Sequence, residues 1–133
     1  MIIDETSVAS GQVPVGDEQI VTDSGFFWRE QGDVKVLVCR RLEEAGFVNG
    51  FSTRAGGVSP FPDGDLNLAG YDEDAAENIE ENRRRFLAVI DGVWQLTTVW
   101  QDHGYTAKVV DDPKAIARTN DHADALISRL NNV

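Results

Sequence analysis

Residues 50–68 contain the residue types best suited to hold a ligand. Arg54 offers a rigid fork of donors to a planar or anionic group, and it precedes Gly56 and Gly57. Glycines allow positive φ angles and close backbone approach, and consecutive backbone amides can form a nest for an anion. The alternative is a rigid connection, because Gly and Pro mark turns far more often than sites. The sequence of this loop therefore predicts either one side of a binding site or a tight turn.

His103 is a second candidate, within the run Gln101-Asp102-His103-Gly104 between two expected strands. An imidazole at this place can bind a metal or act as a general acid or base. The alternative is a turn residue that bonds to the backbone, since catalysis requires convergent partners. His122 is expected to be an exposed loop residue.

A β-hairpin is expected to precede the loop. Residues 26–28 and the alternating valines of residues 34–38 flank a short turn. Residues 40–45 predict a short helical turn that Gly46 closes. Residues 47–52 predict the strand that leads into the loop.

The clearest helix signal covers about residues 74–90, with an apolar face at the 3.6-residue period. Arg83 lies on that face and Asn82 at its border. The arginine must therefore be hydrogen-bonded, or extend its stem towards water. Arg84 and Arg85 are expected on a solvated face.

Three further strands are expected after this helix. Residues 96–100 and 105–110 flank the His103 turn, and the polar start of residues 120–128 gives way to a possible strand. Residues 19–21 hint at a short edge strand within an irregular N-terminal segment, residues 1–24.

Length and composition predict an ordinary globular domain, with residues 25–133 as its main body. The net charge of −11 would repel a phosphate backbone, so nucleic acid is rejected as the main partner. Cys39 is the only cysteine, and no apolar run is long enough to span a bilayer. The expected location is the cytoplasm.

Five blocks of sequence carry a family resemblance. They are Gly-Phe-Ser-Thr-Arg-Ala-Gly-Gly-Val-Ser (50–59), Asp-Leu-Asn-Leu (65–68), Glu-Asn-Arg-Arg-Arg-Phe (81–86), Gln-Asp-His-Gly (101–104) and Ala-Asp-Ala-Leu-Ile (123–127). In this order and spacing the chain resembles the YfiH family, also called the multicopper polyphenol oxidase laccase family, the peptidoglycan editing factors or a purine nucleoside phosphorylase family. Five ordered blocks are far more specific than any one motif.

The resemblance implies an α+β fold of mixed β-sheets flanked by helices. It also implies a metal, zinc or alternatively copper, bound by two histidines and one cysteine, the first histidine matching His103. Phosphorolysis of purine nucleosides, deamination of adenosine and oxidation of polyphenols are the activities ascribed to such proteins. Three protein ligands leave a position open for water or substrate.

The same resemblance suggests residue roles. Arg54 and His103 would be catalytic, with Arg54 and the amides of Gly56 and Gly57 holding phosphate or the sugar. Asn67 would hydrogen-bond a base or ribose. Ser52 and Gln101 complete the expected substrate contacts.

The sequence departs from the family where the other two ligands are expected. The Ala-Asp-Cys and His-Ala-Gly-Trp-Arg-like motifs do not follow residues 123–127, and Cys39 lies upstream of the first block. The chain is therefore expected to be the N-terminal portion of a family domain, weak or inactive alone.

Three functions remain open. The first is a truncated, metal-dependent member acting on purine nucleosides. The second is a catalytically silent domain that associates with itself or a partner through exposed sheet edges. The third, a copper-dependent polyphenol oxidase, ranks below the first, because two histidines and one cysteine do not make a multicopper ligand set.

Overall fold

The fold is taken from a computed structural model that describes residues 15–60, 62–70, 73–116 and 121–133. The elements, in chain order, are α1 (Val15–Asp23), β1 (Phe26–Gln31), β2 (Val34–Cys39), α2 (Arg40–Glu44), β3 (Phe51–Ser52), β4 (Ser59–Pro60), β5 (Asp63–Asp65), α3 (Ala76–Val89), β6 (Ala107–Val110), a 3-10 turn (Pro113–Ala115) and β7 (Ala125–Ser128). Antiparallel and parallel strand pairs both occur, with helices beside them. The predicted α+β class with mixed sheet pairing is confirmed.

The β1–β2 hairpin is the centre of the larger sheet. Its strands pair from Phe26 opposite Cys39 to Gln31 opposite Val34, and Gly32 takes the positive φ angle of +59° that the tight turn requires. Every second residue of β2 faces the core, so its three valines are buried. The predicted hairpin is confirmed.

Helix α2 ends as the sequence predicts. Gly46 has a φ of +88°, its amide donates to the carbonyl of Glu43, and the amide of Phe47 donates to the carbonyl of Leu42. These are the two bonds of a Schellman cap, which satisfies the last carbonyls of a helix.

Strand β3 is shorter than the predicted strand at residues 47–52. Only Phe51 and Ser52 pair with β2. One step earlier, the Asn49 side chain takes the place of a strand partner: its Oδ1 accepts from the amide of Cys39 at 2.8 Å and its Nδ2 donates to the carbonyl of Cys39 at 3.2 Å. This side-chain pairing ends the ladder.

Helix α3 covers the sheet and completes the core. Val89 from the helix joins the valines of β2 and Leu66 in one buried cluster, against which Phe27, Leu68 and Phe86 pack. The helix begins at Ala76, and its N-cap residue Ala75 makes no side-chain capping bond; Asp74 Oδ1, one residue earlier, accepts from the amide of Ala75 and from the Asn78 side chain. Burial of these aliphatic side chains, roughly 1.5–3 kcal/mol each, is the main favourable term that fixes the helix on the sheet.

The N-terminal prediction is wrong where the structure describes it. Residues 19–21 lie within helix α1, not in an edge strand. Local contacts explain the helix: Gln19 Nε2 donates to Asp23 Oδ1 one turn later, and Asp17 and Glu18 in the first turn complement the helix dipole. The first fourteen residues lie outside the described ranges, and the domain boundary near residue 25 stays a prediction.

The C-terminal part forms a separate two-stranded parallel sheet, in addition to the β1–β2–β3 sheet and the short antiparallel β4–β5 pair. Strand β6 pairs with β7, with Ala107 opposite Ala125 and Val110 opposite Ser128, so both predicted strands are confirmed in shortened form. The strand predicted at residues 96–100 is wrong: only Trp100 makes an isolated bridge, with His122. No helix in the described residues is long and apolar enough to cross a membrane.

Candidate functional site

The glycine loop, residues 53–60 and 62–66, is shaped by close backbone packing. A Cβ on Gly56, whose φ is +87°, would lie 2.5 Å from the carbonyl carbon of Asp33, and a Cβ on Gly57 would lie 2.0 Å from the carbonyl oxygen of Asp65. The Gly57 amide donates to the Gly64 carbonyl at 2.9 Å. Only glycine therefore fits at these two positions, because neighbouring backbone atoms occupy the space that a Cβ atom would need. An anion at this loop would need donors other than the Gly57 amide.

Asn82 of helix α3 forms hydrogen bonds with the buried side of the loop. Its side chain is completely buried; Oδ1 accepts from the Val58 amide at 2.8 Å, while Nδ2 donates to Ser59 Oγ at 2.9 Å and to the Asn67 carbonyl at 3.0 Å. A buried amide with several partners fixes the segments it joins, because each lost bond would leave a buried polar group unsatisfied. The sequence placed Asn82 only at the border of the apolar face.

Arg85 is a second contact between α3 and the loop. Its Nη1 donates to the Gly56 carbonyl at 2.9 Å, and its Nε donates to Glu81 at 2.7 Å. Arg84 also donates to Glu81, and these two arginines, Arg84 first, lower the pKa of Glu81 to about 2. Arg84 is exposed as predicted. The prediction that Arg85 is a solvated residue is wrong, because its guanidinium is half-buried against the loop.

Arg83 and Asn67 secure the chain after the loop. Arg83 Nη2 donates to the carbonyl of Ala69 at 2.9 Å, so the charge on the apolar face is hydrogen-bonded, as expected. Asn67 Oδ1 accepts from the Ala69 amide at 3.0 Å. The Asn67 side chain thus stabilises its own turn, and its role towards a base or ribose stays a prediction.

Arg54 is the accessible cation of the loop. Its side chain is 75% exposed, and its Nε donates to Asp65 Oδ1 at 2.9 Å, while the Asp65 side chain is only 14% exposed. An exposed pair of this kind adds little to stability. The Asp65 carboxylate does orient the Arg54 guanidinium, and its negative charge offsets the positive charge that a bound anion would meet.

The His103 turn is fixed by Asp124. His103 has a φ of +58°, a left-handed conformation that is uncommon for residues other than glycine. Asp124 Oδ2 accepts from the Thr106 amide at 3.0 Å and Oδ1 from the Gly104 amide at 2.8 Å. These backbone bonds, Thr106 first, hold the pKa of Asp124 below its usual value. The carboxylate therefore keeps the turn in a shape that leaves His103 exposed to solvent.

The contact of Asp124 with the His103 turn is not predicted from the sequence, although Asp124 lies in the Ala-Asp-Ala-Leu-Ile block. The sequence signal was the aspartate itself, since short acidic side chains cap backbone amides at turns. Its partners lie some twenty residues earlier, at Gly104 and Thr106, and sequence spacing alone does not reveal such a contact.

A histidine–aspartate pair lies beside this turn. His122 Nδ1 lies 2.7 Å from Asp102 Oδ1, and both side chains are more than half exposed. The ring centroid of Trp100 lies 6.4 Å from that of His122. His122 is an exposed loop residue, as predicted, and the carboxylate orients its imidazole.

Within the described ranges, the predicted site residues lie at separate places. Gly56 and Gly57 line a cleft of about 540 Å³ together with Lys35 and Arg85. Gln101 lines another cleft of about 240 Å³, where the chain after the glycine loop meets the chain before His103. Ser52 lies on β3, opposite Val36. The proposed substrate roles of these residues stay predictions.

The described residues do not fit the metal that the resemblance implies. Both histidines and the only cysteine fall within the described ranges. Even so, no three His, Cys, Asp or Glu side chains in these ranges come close enough together to hold a metal ion. In the described ranges, His103 therefore lacks the second histidine and the cysteine that the resemblance implies as its partners.

Comparison with known proteins gives one match. A family model described as multi-copper polyphenol oxidoreductase laccase matches residues 48–133, well over half of the chain. No curated protein and no solved structure is significantly similar. The matched span contains the glycine loop, helix α3, the His103 turn and Asp124, which are the parts whose geometry is described above. The chain belongs to the multi-copper polyphenol oxidoreductase laccase family, also known as the YfiH family.

Proposed function

We propose that this chain carries the nucleoside-contacting part of a domain that acts on purine nucleosides, and that it turns them over weakly or not at all by itself. The observation that carries the proposal is the His103 turn, in which an exposed imidazole stands at a left-handed residue fixed by Asp124. Strained residues of this kind concentrate at functional sites. The resemblance assigns the same histidine to the family's metal site.

Charge favours a neutral substrate over a free anion. The chain has a net charge of −11, and the charge of Arg54 is offset by Asp65. An uncharged nucleoside meets no repulsion, whereas a phosphate dianion would be repelled by the overall field. Arg54 is the exposed cation of the glycine loop through which phosphate could still bind, so phosphorolysis depends on it and deamination does not.

We expect weak activity because the set of metal ligands is incomplete. A hydrolytic metal centre needs three protein ligands and an open position. The described part of the chain brings no such group together. The residues present can bind and orient a nucleoside near His103, and the chemistry of a bound metal lies outside what they supply.

The proposal is tested with adenosine and inosine, each with and without phosphate. Calorimetry measures nucleoside binding, chromatography measures base release and deamination, and mass spectrometry measures the metal content of the purified protein. We expect both nucleosides to bind and turnover to stay near background. His103→Ala, with His122→Ala as the matched control, tests any residual activity.

Two outcomes would overturn the proposal. Failure of both nucleosides to bind would remove the substrate class. One bound metal per chain together with rapid turnover, lost in His103→Ala and kept in His122→Ala, would show that the chain is active by itself.

A second candidate is a domain that associates with itself through the β6–β7 sheet. Parallel sheets are normally covered on both faces, yet Val109 and its partner Ile127 are both more than half exposed. Light scattering of the wild type and of a Val109→Thr, Ile127→Thr variant tests this function. We expect a dimer that the variant dissociates, and a wild-type monomer at high concentration would exclude it.

Copper-dependent oxidation of phenols is the third candidate, named by the family description. The chain contains two histidines and one cysteine, which is too few for several copper ions. We therefore expect no oxidation of a phenol when Cu²⁺ is added. Copper-dependent turnover that exceeds free Cu²⁺ would reverse this ranking.

A further inference from the structure

The segment between helix α2 and strand β3 contains an asparagine followed by a glycine, Asn49 and Gly50. In this order the two residues are prone to lose the side-chain amide. The backbone nitrogen of the second residue attacks Cγ of the asparagine, and a glycine has no side chain to hinder that attack. The other asparagines that lie in the described ranges are each followed by a larger residue.

Three hydrogen bonds hold the Asn49 side chain in the folded chain. Its Oδ1 accepts from the Cys39 amide at 2.8 Å, and its Nδ2 donates to the carbonyls of Cys39 and Phe47, each at 3.2 Å. The Nδ2 group is the part of the side chain that must leave as ammonia, so the two bonds that it donates oppose the reaction. The three bonds also fix the side chain against β2, which restricts its approach to the Gly50 nitrogen.

Gly50 supplies the nitrogen that would attack. Its backbone amide donates to no acceptor within the described ranges, so no hydrogen bond found there occupies it. A Cβ at this position would lie 2.6 Å from Cγ1 of Val36 and 3.7 Å from Cδ1 of Ile90. Because Val36 is completely buried, this packing favours glycine over any larger residue. The fold therefore keeps a reactive pair of residues at this place.

We propose that Asn49 is a site of spontaneous deamidation, which its contact with β2 suppresses and which local opening of the segment before β3 releases. The Gly50 nitrogen loses its proton and bonds to Cγ of Asn49, the bond between Cγ and Nδ2 breaks, and ammonia leaves. Water then opens the cyclic imide and gives aspartate or isoaspartate. Each chain thus consumes one water molecule and releases one ammonia molecule, with no oxidant or reductant.

The product does not fit the place that Asn49 occupies. An aspartate at position 49 keeps an acceptor for the Cys39 amide but loses both donated bonds. Its negative charge would face the carbonyl oxygens of Cys39 and Phe47, which is unfavourable in a half-buried position. Isoaspartate also adds a carbon atom to the backbone, just before the residues that pair with β2. We therefore expect the modification to detach the end of β3 that leads into the glycine loop.

Peptide mapping by mass spectrometry measures the reaction in the full chain at mildly alkaline pH. The chain is incubated in buffer, in urea below the unfolding transition and in urea above it. We expect Asn49 to convert at least about tenfold more slowly in buffer than in the unfolded chain, and to convert faster already below the transition, because local opening exposes it. Asn78, which Ile79 follows, is the internal control and should stay intact over the same time.

Asn49→Asp tests the consequence of the modification. Asn67→Asp is the matched control, because the Asn67 side chain uses only Oδ1, an acceptor that aspartate keeps. The Thr53 amide donates to the Lys35 carbonyl beside β3, so its hydrogen exchange reports on the attachment of this strand. We expect exchange to be about tenfold faster in Asn49→Asp and within about threefold of the wild type in Asn67→Asp. Circular dichroism confirms that each variant is folded.

Three outcomes would overturn the proposal. If Asn49 stays intact in the unfolded chain, it is not a reactive site. If it converts equally fast in the folded and unfolded chains, its contact with β2 does not protect it. If the Thr53 amide exchanges at the same rate in Asn49→Asp and Asn67→Asp, the bonds donated by Asn49 do not hold β3, and the modification leaves the strand in place.

Discussion

Replacing Asn82 with alanine should loosen the glycine loop and strongly destabilise the protein. The change removes the partner of the Val58 amide, the Ser59 hydroxyl and the Asn67 carbonyl. Each buried group left unsatisfied costs about 1–3 kcal/mol, and since Val58 and Asn67 are partly exposed, we take a total of about 3 kcal/mol from the low end. That is a large share of the roughly 5–15 kcal/mol that stabilises a typical domain.

Thermal unfolding followed by circular dichroism measures this loss. For a chain of this size, about 3 kcal/mol corresponds to a fall in Tm of roughly 10–15 °C. Asn78→Ala is the matched control: it is the same substitution one turn earlier in α3, and it removes one half-buried bond to Asp74 at a cost of about 1 kcal/mol. If Asn82→Ala melts within a few degrees of Asn78→Ala, the loop does not depend on Asn82.

Three further predictions concern charge and backbone geometry. The pKa of Glu81 is lowered to about 2, so its stabilising effect is present above the unfolded value of about 4.5 and is lost as the pH falls towards 2. Glu81→Gln should therefore make the free energy of unfolding depend less on pH between these values, and an unchanged acid transition would contradict this. Asp124→Ala should speed hydrogen exchange of the Gly104 and Thr106 amides about tenfold, measured by NMR, because both lose a charged acceptor; unchanged rates would show that the carboxylate does not fix the turn. His103→Gly should leave the free energy of unfolding in urea unchanged or higher by about 1 kcal/mol, whereas His103→Val should lower it by about 1–3 kcal/mol, since a β-branched residue tolerates a φ of +58° poorly; equal values for the two variants would refute a strained turn.

The sequence was most informative where structure depends on nearby residues. The alternating valines of β2 and the glycine after α2 fixed the hairpin and the helix end, because strand faces and C-caps follow from local geometry. The five family blocks predicted the family that the comparison confirmed. Helix α3 was also found, with its start two residues later than expected.

The sequence was least informative where a residue's partner lies far along the chain. Arg85 was predicted to be solvated because its helix position faces away from the core, yet it reaches the carbonyl of Gly56. Residues 96–100 have β-forming side chains, but a strand requires a neighbour, and only Trp100 finds one, at His122. The separation of Gln101 from the two glycines into different clefts likewise depends on tertiary packing.

The contacts of the small β6–β7 sheet divide the described chain into two unequal units. Its strands contact each other much more than they contact any other element, and the main buried cluster is drawn from β2, from α3 and from the glycine loop. Units with few shared contacts open independently, at free energies below that of global unfolding. The His103 turn belongs to the weaker unit, whereas the glycine loop belongs to the stronger one.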